Sequence, residues 1–257
     1  MQNDGDVDPE SVGPAFPGVD IKIEDGEVFY KGSGVFKGYY KNEKATKETI
    51  NVRGWVSTGD AGVIDPNGHL KIIDRAKDVG KLTSGEIFAP KYIENKLKFH
   101  GIIKEAVAFG DNKEFVTCFI NIDLEAVGSW AERNNLAYSG YIDLAGQDAV
   151  YDLIEKAIYE VNKDLSKNKE LSASQIRRFL ILHKELDADD GELTRTNKVR
   201  RGTISDRYNE LVKALYNGSK NCHIKTEVVF EDGKKGEISA DIKIKDMNTK
   251  SYGNEAA

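Results

Sequence analysis

Ile73-Asp74-Arg75-Ala76-Lys77-Asp78 is the stretch at which the pattern of the chain changes, and it decides the fold. Before it, short stretches with strand character are separated by turn sequences such as Asp25-Gly26, which favour tight reversals. After it, strand patterns alternate with helical ones, which indicates an α+β domain. We therefore predict a small β-rich segment, a compact α+β domain and a polar, frayed tail, over residues 1–73, 74–245 and 246–257.

Hydrophobic periodicity places the elements within these parts. Before Asp74 we predict strands over residues 19–23, 27–30, 62–64 and 70–73. After it we predict a helix that begins at Pro90, a structural core helix over residues 148–166 and a helix over 204–215. Buried strands are expected over residues 106–110, 116–122 and 178–183, and the glycines within residues 231–236 predict a final hairpin.

Composition narrows the class of protein. The 257 residues include 39% hydrophobic side chains, enough for a core, and carry a formal net charge of -6 from 43 acidic and 37 basic residues. Because there is no long basic tract, nucleic acid is not an expected partner. Cys118 and Cys222 allow one disulfide at most and fit a reducing, cytoplasmic setting. We expect no secretory signal and no transmembrane segment.

Three charged side chains are candidates for binding or catalysis on their chemistry alone. Asp60, at the end of Ser57-Thr58-Gly59-Asp60, offers two acceptor oxygens to the hydroxyls of a ribose, although a turn aspartate explains the tetrad equally well. Arg75 has fixed donors for a sugar or phosphate oxygen, or it forms a surface ion pair with Asp74 or Asp78. The Lys198 ammonium suits charge that builds up between a carboxylate and a phosphate, or it is a solvated lysine in a basic run.

The motifs that hold these residues resemble those of the AMP-forming acyl-CoA synthetases, within the adenylate-forming enzymes. They are Gly54-Trp55-Val56-Ser57-Thr58-Gly59-Asp60, the opening stretch at Ile73, Lys81-Leu82-Thr83-Ser84-Gly85-Glu86, and Leu193-Thr194-Arg195-Thr196-Asn197-Lys198-Val199-Arg200-Arg201. The stretch from Lys81 to Glu94 looks most like the long-chain fatty acid CoA ligases. The resemblance runs from Asp4 to Ile244 and implies the C-terminal portion of such an enzyme.

The resemblance implies a role for each motif residue. Asp60 and Arg75 would bind the nucleotide, and Lys77 would be the hinge about which the C-terminal domain rotates between adenylation and thioester formation. Gly85 would lie in the loop that lines the coenzyme A channel, and Lys198 would be the catalytic lysine of adenylation. The reaction joins a fatty acid to ATP, releases pyrophosphate and passes the acyl group from AMP to coenzyme A. Ligands for Mg²⁺ are expected in an N-terminal half that this sequence lacks.

The phosphate-binding loop and the acyl pocket of the family are not found before Gly54. We therefore expect residues 1–73 to be a remnant of the N-terminal adenylation domain, and the chain to be inactive without a complementing N-terminal half. The alternative is a non-catalytic binding or regulatory module derived from such an enzyme. The intact enzyme is expected in the cytoplasm, in association with membranes. Two loop positions depart from the family pattern: Arg195 lies where many members have proline, and Gly80 lies where many have a bulky apolar residue.

The remaining polar residues predict no further site. The four histidines show no spacing for metal ligands or a catalytic triad, and we expect structural or surface roles for them. The acidic residues around Gly191 are too closely spaced for a calcium loop. We interpret them as a solvated turn; they are Asp187, Asp189, Asp190 and Glu192.

Overall fold

Helices and strands follow one another in a mixed architecture, which confirms the predicted α+β class. The computed structural model describes residues 5, 7–8, 11–229 and 235–252. In these ranges the strands are β1 (Val19–Glu24), β2 (Glu27–Gly32), β3 (Val56–Ile64), β4 (Leu70–Arg75), β5 (Gly80–Lys81), β6 (Ile87–Phe88), β7 (Ile103–Phe109), β8 (Val116–Ile122), β9 (Ile176–Ile181), β10 (Asn221–Val229), β11 (Lys235–Lys243) and β12 (Lys245–Asp246). The helices are α1 (Glu43–Thr49), α2 (Pro90–Lys98), α3 (Leu124–Arg133), α4 (Tyr141–Gly146), α5 (Asp148–Leu165), α6 (Arg201–Arg207) and α7 (Asn209–Tyr216).

The first four strands form an antiparallel sheet in the order β1-β2-β3-β4. Asp25 and Gly26 connect β1 to β2 with φ angles of 52° and 84°, as the Asp-Gly turn signal predicts. Strand β3 begins at Val56, so Asp60 lies in a strand and its interpretation as a turn residue is wrong. Helix α1, between β2 and β3, has no buried residue and therefore leaves no hydrophobic periodicity in the sequence.

The second sheet has the order β12-β9-β8-β7 and is covered on both faces. Strand β8 pairs parallel with β9 and antiparallel with β7. One face packs against α2, α3, α4 and α5, and Cys118 and Ile120 of β8 belong to that apolar cluster. Phe119 belongs to the cluster on the other face, where α6, α7 and the β10-β11 pair lie. Every residue of β8 is therefore buried.

A shared apolar cluster joins the first sheet to helix α2. Ala61, Val63 and Ile73 of the sheet lie in the same buried cluster as Ile93 and Leu97 of the helix. Helix α2 begins at Pro90 as predicted, because the fixed φ of proline suits the first helical position. The chain passes from the first sheet to the second part through a 3-10 turn at Ala76–Asp78. The domain boundary at Asp74 stays a prediction.

The helix predicted over residues 204–215 is divided in two. Helix α6 ends at Arg207 and α7 begins at Asn209, with Tyr208 between them at φ -105° and ψ 27°. The side chain of Tyr208 is fully buried, and its hydroxyl donates a hydrogen bond to Glu192 Oε1 (2.6 Å). This contact comes from outside the helical segment, so the periodicity of the segment does not reveal it.

The start of the segment predicted as a frayed tail lies along β9 instead. Asp246 Oδ1 accepts a hydrogen bond from Arg178 Nε (2.6 Å), and Met247 is buried in the main apolar cluster. The N–H of Lys250 donates to Gln175 Oε1 (2.9 Å). The expectation of fraying is wrong for these residues because their partners are distant in sequence. The predicted hairpin turn over residues 231–234 lies outside the described residues, whereas β10 and β11 pair antiparallel as predicted.

Gly80 lies where a larger side chain would clash with a neighbouring residue. A Cβ atom built on Gly80 would lie 2.4 Å from Asp111 Oδ1 and 2.9 Å from Asp111 Cβ. The Asp111 carboxylate itself accepts a hydrogen bond from the N–H of Lys81 (3.1 Å). Asp111 therefore occupies the space that a bulky side chain at position 80 would need.

We expect Gly80→Ala to lower the free energy of unfolding by about 1–3 kcal/mol, because an added methyl group overpacks the site against Asp111. The matched control is Gly101→Ala, since a Cβ atom there meets no other atom within 4 Å. Urea denaturation of the two variants measures the difference. A loss in Gly80→Ala that is no larger than the loss in the control would contradict the packing argument.

Candidate functional site

Asp60 and Arg75 lie opposite each other on neighbouring strands. They are partners in the pairing of β3 with β4, and Arg75 Nη1 lies 2.8 Å from Asp60 Oδ1. The Asp60 side chain is 33% exposed and the Arg75 side chain 62% exposed. Arg75 was expected to pair with Asp74 or Asp78 if it had only a surface role, but its partner is Asp60. The two predicted nucleotide-binding residues therefore form one exposed ion pair.

Strand β3 contains a β-bulge at Thr58, Gly59 and Asp60. Between Ser57 and Ala61 the pairing with β2 shifts, and Gly59 adopts a φ of 70°, which glycine tolerates without strain. Glu27 Oε1 accepts a hydrogen bond from the N–H of Gly59 (2.9 Å) and another from the Ser57 hydroxyl. Thr58 Oγ1 donates to the carbonyl oxygen of Val28 (2.7 Å). These contacts hold Asp60 in place from both sides of the bulge.

Glu27 is a residue that reasoning from the sequence missed. It lies in β2, far from the Ser57-Thr58-Gly59-Asp60 tetrad in sequence, and becomes its neighbour only through the pairing of β2 with β3. In the sequence, the one hint of this role is that Glu27 lies in a predicted strand that could pair with the segment containing Gly59. Its carboxylate accepts two hydrogen bonds and so supports the bulge.

Lys77 and Gly85 lie in two turns that follow the first sheet. Lys77 is exposed in the 3-10 turn at Ala76–Asp78. Gly85 lies between β5 and β6 with a φ of 97°, in a turn closed by the hydrogen bond from the N–H of Leu82 to the carbonyl of Glu86 (2.9 Å). Glycine is favoured there by its backbone conformation, whatever the function of the loop.

Lys198 lies on a short hairpin loop whose ends are held together. Leu193 pairs with Val199, and the N–H of Thr194 donates to the carbonyl of Lys198 (2.8 Å). Thr194 Oγ1 accepts from the N–H of Lys198 (3.0 Å), and Asn197 takes a φ of 55°. The loop presents Lys198 to solvent. Within the described part of the chain, Lys198 forms no hydrogen bond or ion pair with Asp60 or Arg75.

A buried ionic cluster lies at the base of this loop. The Glu192 side chain is 0% exposed and the Asp190 side chain 6% exposed, so the interpretation as a solvated turn is wrong for these two residues. Asp187 and Asp189 are exposed, as that interpretation expects. Glu192 Oε2 lies 2.7 Å from Lys184 Nζ, and Glu192 Oε1 lies 3.2 Å from Arg207 Nη1. The Glu192 carbonyl also accepts from the N–H of Arg200 (2.8 Å), which closes the loop after Lys198.

Spacing could not reveal this cluster, because its cations come from other elements. Lys184 follows β9 and Arg207 ends α6, and both reach back to the acidic turn. Burial and the nearby Glu192 carboxylate raise the pKa of Tyr208, whose hydroxyl therefore stays a hydrogen-bond donor. The cluster fixes the two ends of the Lys198 loop to the second sheet.

Arg201 anchors the far end of the same motif to helix α2. Arg201 Nη2 lies 2.6 Å from Glu94 Oε1, and the same oxygen accepts from the N–H of Ala108 (2.8 Å). Burial raises the pKa of Glu94, while the Arg201 charge opposes that rise. One of the two arginines that follow Lys198 is thus a structural link to the Pro90 helix.

His223 is a surface histidine, as expected, and it contacts two other polar side chains. Its Nδ1 lies 2.8 Å from Asp241 Oδ1 and its Nε2 lies 3.1 Å from Ser239 Oγ. The pairing of β10 with β11 brings these residues together, which sequence spacing does not show. The three side chains are exposed to water, with 55% of His223 and 80% of Asp241 accessible. They form an exposed cross-strand network.

The burial of His183 leads to a prediction of how the stability of the protein depends on pH. The ring is 97% buried and neither ring nitrogen has a hydrogen-bond partner in the described chain. Burial, with the charges of Lys184 and Arg207, lowers the pKa of His183 to about 4. Between the unfolded pKa of 6.5 and this value, the unfolded chain binds more protons than the folded protein.

We therefore expect the free energy of unfolding to fall as the pH falls from 6.5 towards 4, and His183→Gln to reduce that slope. Urea denaturation at several pH values measures the slope for each protein. Equal slopes for the wild-type protein and His183→Gln would show that His183 does not contribute.

Comparison with known proteins defines the class. Residues 77–220, more than half of the chain, match the family described as AMP-binding enzyme C-terminal domain. The chain belongs to this family.

Curated relatives of this chain are longer proteins. Long-chain-fatty-acid–CoA ligase FadD15 of Mycobacterium tuberculosis is 36% identical over 209 residues, which are 80% of this chain and 34% of that protein. Long-chain-fatty-acid–CoA ligase 1 of Cavia porcellus is 34% identical over 198 residues, which are 76% of this chain and 28% of that protein. The chain thus spans about a third of the length of the curated relatives that it matches.

A solved structure agrees with the fold. The crystal structure of apo MatB from Rhodopseudomonas palustris has a TM-score of 0.50 and 22% identity, and covers 81% of this chain and 38% of that chain. At this identity the likeness concerns the fold alone. Among the described residues, no helix is both long enough and apolar enough to cross a bilayer.

Proposed function

We propose that this chain is the C-terminal portion of an AMP-forming long-chain fatty acid CoA ligase and that it acts together with an N-terminal portion. The observation that carries the proposal is the Asp60–Arg75 ion pair, held by a bulge within a chain of this family. The names of the relatives supply the substrate class. Cytoplasmic location and membrane association of the intact enzyme stay predictions.

The geometry of the ion pair fits a nucleotide ribose. Arg75 Nη1 lies against Oδ1 of the Asp60 carboxylate, which has two acceptor oxygens, and the guanidinium has five donors that suit a hydroxyl or phosphate oxygen. Asp60 would accept hydrogen bonds from the ribose hydroxyls, and Arg75 would donate to the same sugar. The ATP bound there would supply the adenylyl group and pyrophosphate as the leaving group.

The exposed loops would complete the site. Lys198 would bring its ammonium beside the fatty acid carboxylate and the α-phosphate and offset the negative charge that develops there. Rotation at Lys77 would exchange the Lys198 loop for the Gly85 loop, which would then line the coenzyme A channel. The ligands of Mg²⁺ are expected in the N-terminal portion. Acyl chain length would be set by that portion.

The experiment mixes this chain with a separately expressed N-terminal portion and supplies a long-chain fatty acid, ATP and coenzyme A. We expect acyl-CoA to form on mixing and not with either part alone. Asp60→Ala should raise the ATP concentration needed for half-maximal rate by about 10- to 100-fold, because it removes charge-assisted hydrogen bonds of about 1.5–3 kcal/mol. The matched control is Asp20→Ala, an exposed aspartate of β1.

Absence of acyl-CoA from two folded portions would reject the proposal. A second candidate is a non-catalytic AMP-binding module. It rests on the same observation, because both proposed ribose-binding residues, Asp60 and Arg75, lie in this chain. Calorimetry with AMP and this chain alone distinguishes the two. Tight binding without turnover on mixing would support the module.

A further inference from the structure

Lys91 connects the two sides of the turn that contains Lys77. Its Nζ lies 2.8 Å from Asp78 Oδ2 and 3.6 Å from Asp74 Oδ1. Asp74 precedes the 3-10 turn and Asp78 ends it, so one ammonium contacts a carboxylate on each side of Lys77. Neither spacing nor the family resemblance draws attention to Lys91.

The two carboxylates differ in burial. The Lys91 side chain is 54% exposed, so water screens both of its contacts, and the Asp78 side chain is itself 35% exposed. The Asp74 side chain is only 3% exposed, and its Oδ2 is buried without a hydrogen-bond partner. A buried carboxylate is strongly destabilised when its cation is removed. Loss of the Lys91 charge is therefore expected to affect the buried Asp74 more than Asp78, which keeps its contact with water.

The position of Lys91 in its helix is unfavourable for a positive charge, and the two carboxylates compensate for it. Lys91 lies in the first turn of α2, where the helix dipole disfavours a positive charge. The Asp78 hydrogen bond and the Asp74 charge raise the pKa of Lys91, so both carboxylates favour its charged form. The carboxylates offset the unfavourable dipole and at the same time fix the turn to the helix.

We infer that Lys91 is a positioning residue that holds the Lys77 turn in the described arrangement through Asp74. The inference rests on the proposed function, in which the chain rotates at Lys77. Asp78 belongs to the same side of Lys77 as α2, so it would move with Lys91. Asp74 precedes Lys77, so rotation would separate it from Lys91 and release it to water.

Removal of the Lys91 charge would therefore favour rotated arrangements. In Lys91→Met the Asp74 carboxylate stays buried without a cation as long as the turn is unchanged, and it regains water when the turn opens. Lys91→Arg retains a cation. The double variant Lys91→Met with Asp74→Asn removes the buried charge as well as its partner, and should restore the closed turn.

Cleavage of the chain alone by a lysine-specific protease tests the inference. The rate of cleavage after Lys77 is divided by the rate after Lys169, which is exposed in a separate turn. We expect the ratio to rise at least about five-fold in Lys91→Met, because local opening admits the protease. It should return to within about two-fold of wild type in Lys91→Arg and in the double variant.

The matched control is Lys104→Met, because Lys104 is a half-exposed lysine with one carboxylate partner, Glu185, at 2.7 Å. The inference is overturned if the ratio in Lys91→Met stays within two-fold of wild type, or if the control raises it equally. Should Lys91→Met fail to fold, Lys91→Gln is judged by the same ratio. Since no ligase activity is needed, failure here is separate from failure of the proposed function.

In the mixed ligase, a second measurement follows the two half-reactions. Pyrophosphate release reports adenylation, and transfer from a preformed acyl-adenylate to coenzyme A reports the second step. Lys91→Met should change the ratio of the two rates by about three-fold or more, and Lys91→Arg should restore it. A uniform loss in both rates would show a structural role only and would overturn the assignment.

Discussion

Lys198→Ala is expected to lower the rate of acyl-adenylate formation by the mixed portions by about two to three orders of magnitude. The reason is electrostatic: in the proposed function the Lys198 ammonium lies beside the developing charge, where it would contribute about 3–4 kcal/mol of transition-state stabilisation. Pyrophosphate release in the presence of fatty acid and ATP measures this step. The fold should not change, because the Lys198 side chain is exposed and the loop is closed by backbone and Thr194 hydrogen bonds.

Two further measurements make the result specific. Transfer of a preformed acyl-adenylate to coenzyme A should stay within about three-fold of wild type, since the Gly85 loop and not Lys198 serves that step in the proposed function. Lys47→Ala, in the exposed helix α1, is the matched lysine control. An unchanged rate of adenylation in Lys198→Ala would remove this lysine from the mechanism.

Glu192→Ala is expected to lower the free energy of unfolding by about 3–5 kcal/mol. The substitution leaves Lys184 and Arg207 short of one carboxylate in a buried setting and strips Tyr208 of its acceptor. It also leaves an empty volume at the base of the Lys198 loop. Urea denaturation measures the loss, with Glu210→Ala on the exposed side of α7 as the control.

Glu192→Gln separates charge from shape. It retains a side chain of the same size with one acceptor oxygen, so it should destabilise less than Glu192→Ala while still weakening the contact with Lys184. A loss below about 1 kcal/mol in Glu192→Ala would mean that the remaining carboxylate of Asp190 is sufficient for both cations.

Much of the fold could be predicted because its signals are local. The apolar face of α5, Pro90 at the start of α2 and the Asp25-Gly26 turn each depend on residues that are neighbours in sequence. Helix α1 could not be predicted in this way, since none of its residues is buried. The break at Tyr208 and the position of Met247 also depend on distant partners.

The candidate site shows the same division. Motif resemblance selected Asp60, Arg75, Lys77, Gly85 and Lys198, and their roles stay predictions. The structure adds the residues that hold them, which come from other strands and helices. Glu27, Glu192 and Lys91 each act through a contact that only the fold creates. A supporting residue has no fixed spacing from the residue it supports, and this is why the sequence conceals it.

The ion pair between Arg75 and Asp60 also bears on how tightly a small molecule could be held. A free arginine side chain samples many rotamers, and fixing it in a complex costs conformational entropy of about 2 kcal/mol. Here the guanidinium already contacts Asp60 on the neighbouring strand, so part of that entropy is lost during folding rather than on association. A weak surface ion pair, nearly neutral for stability, can in this way improve affinity through the freedom that it removes in advance.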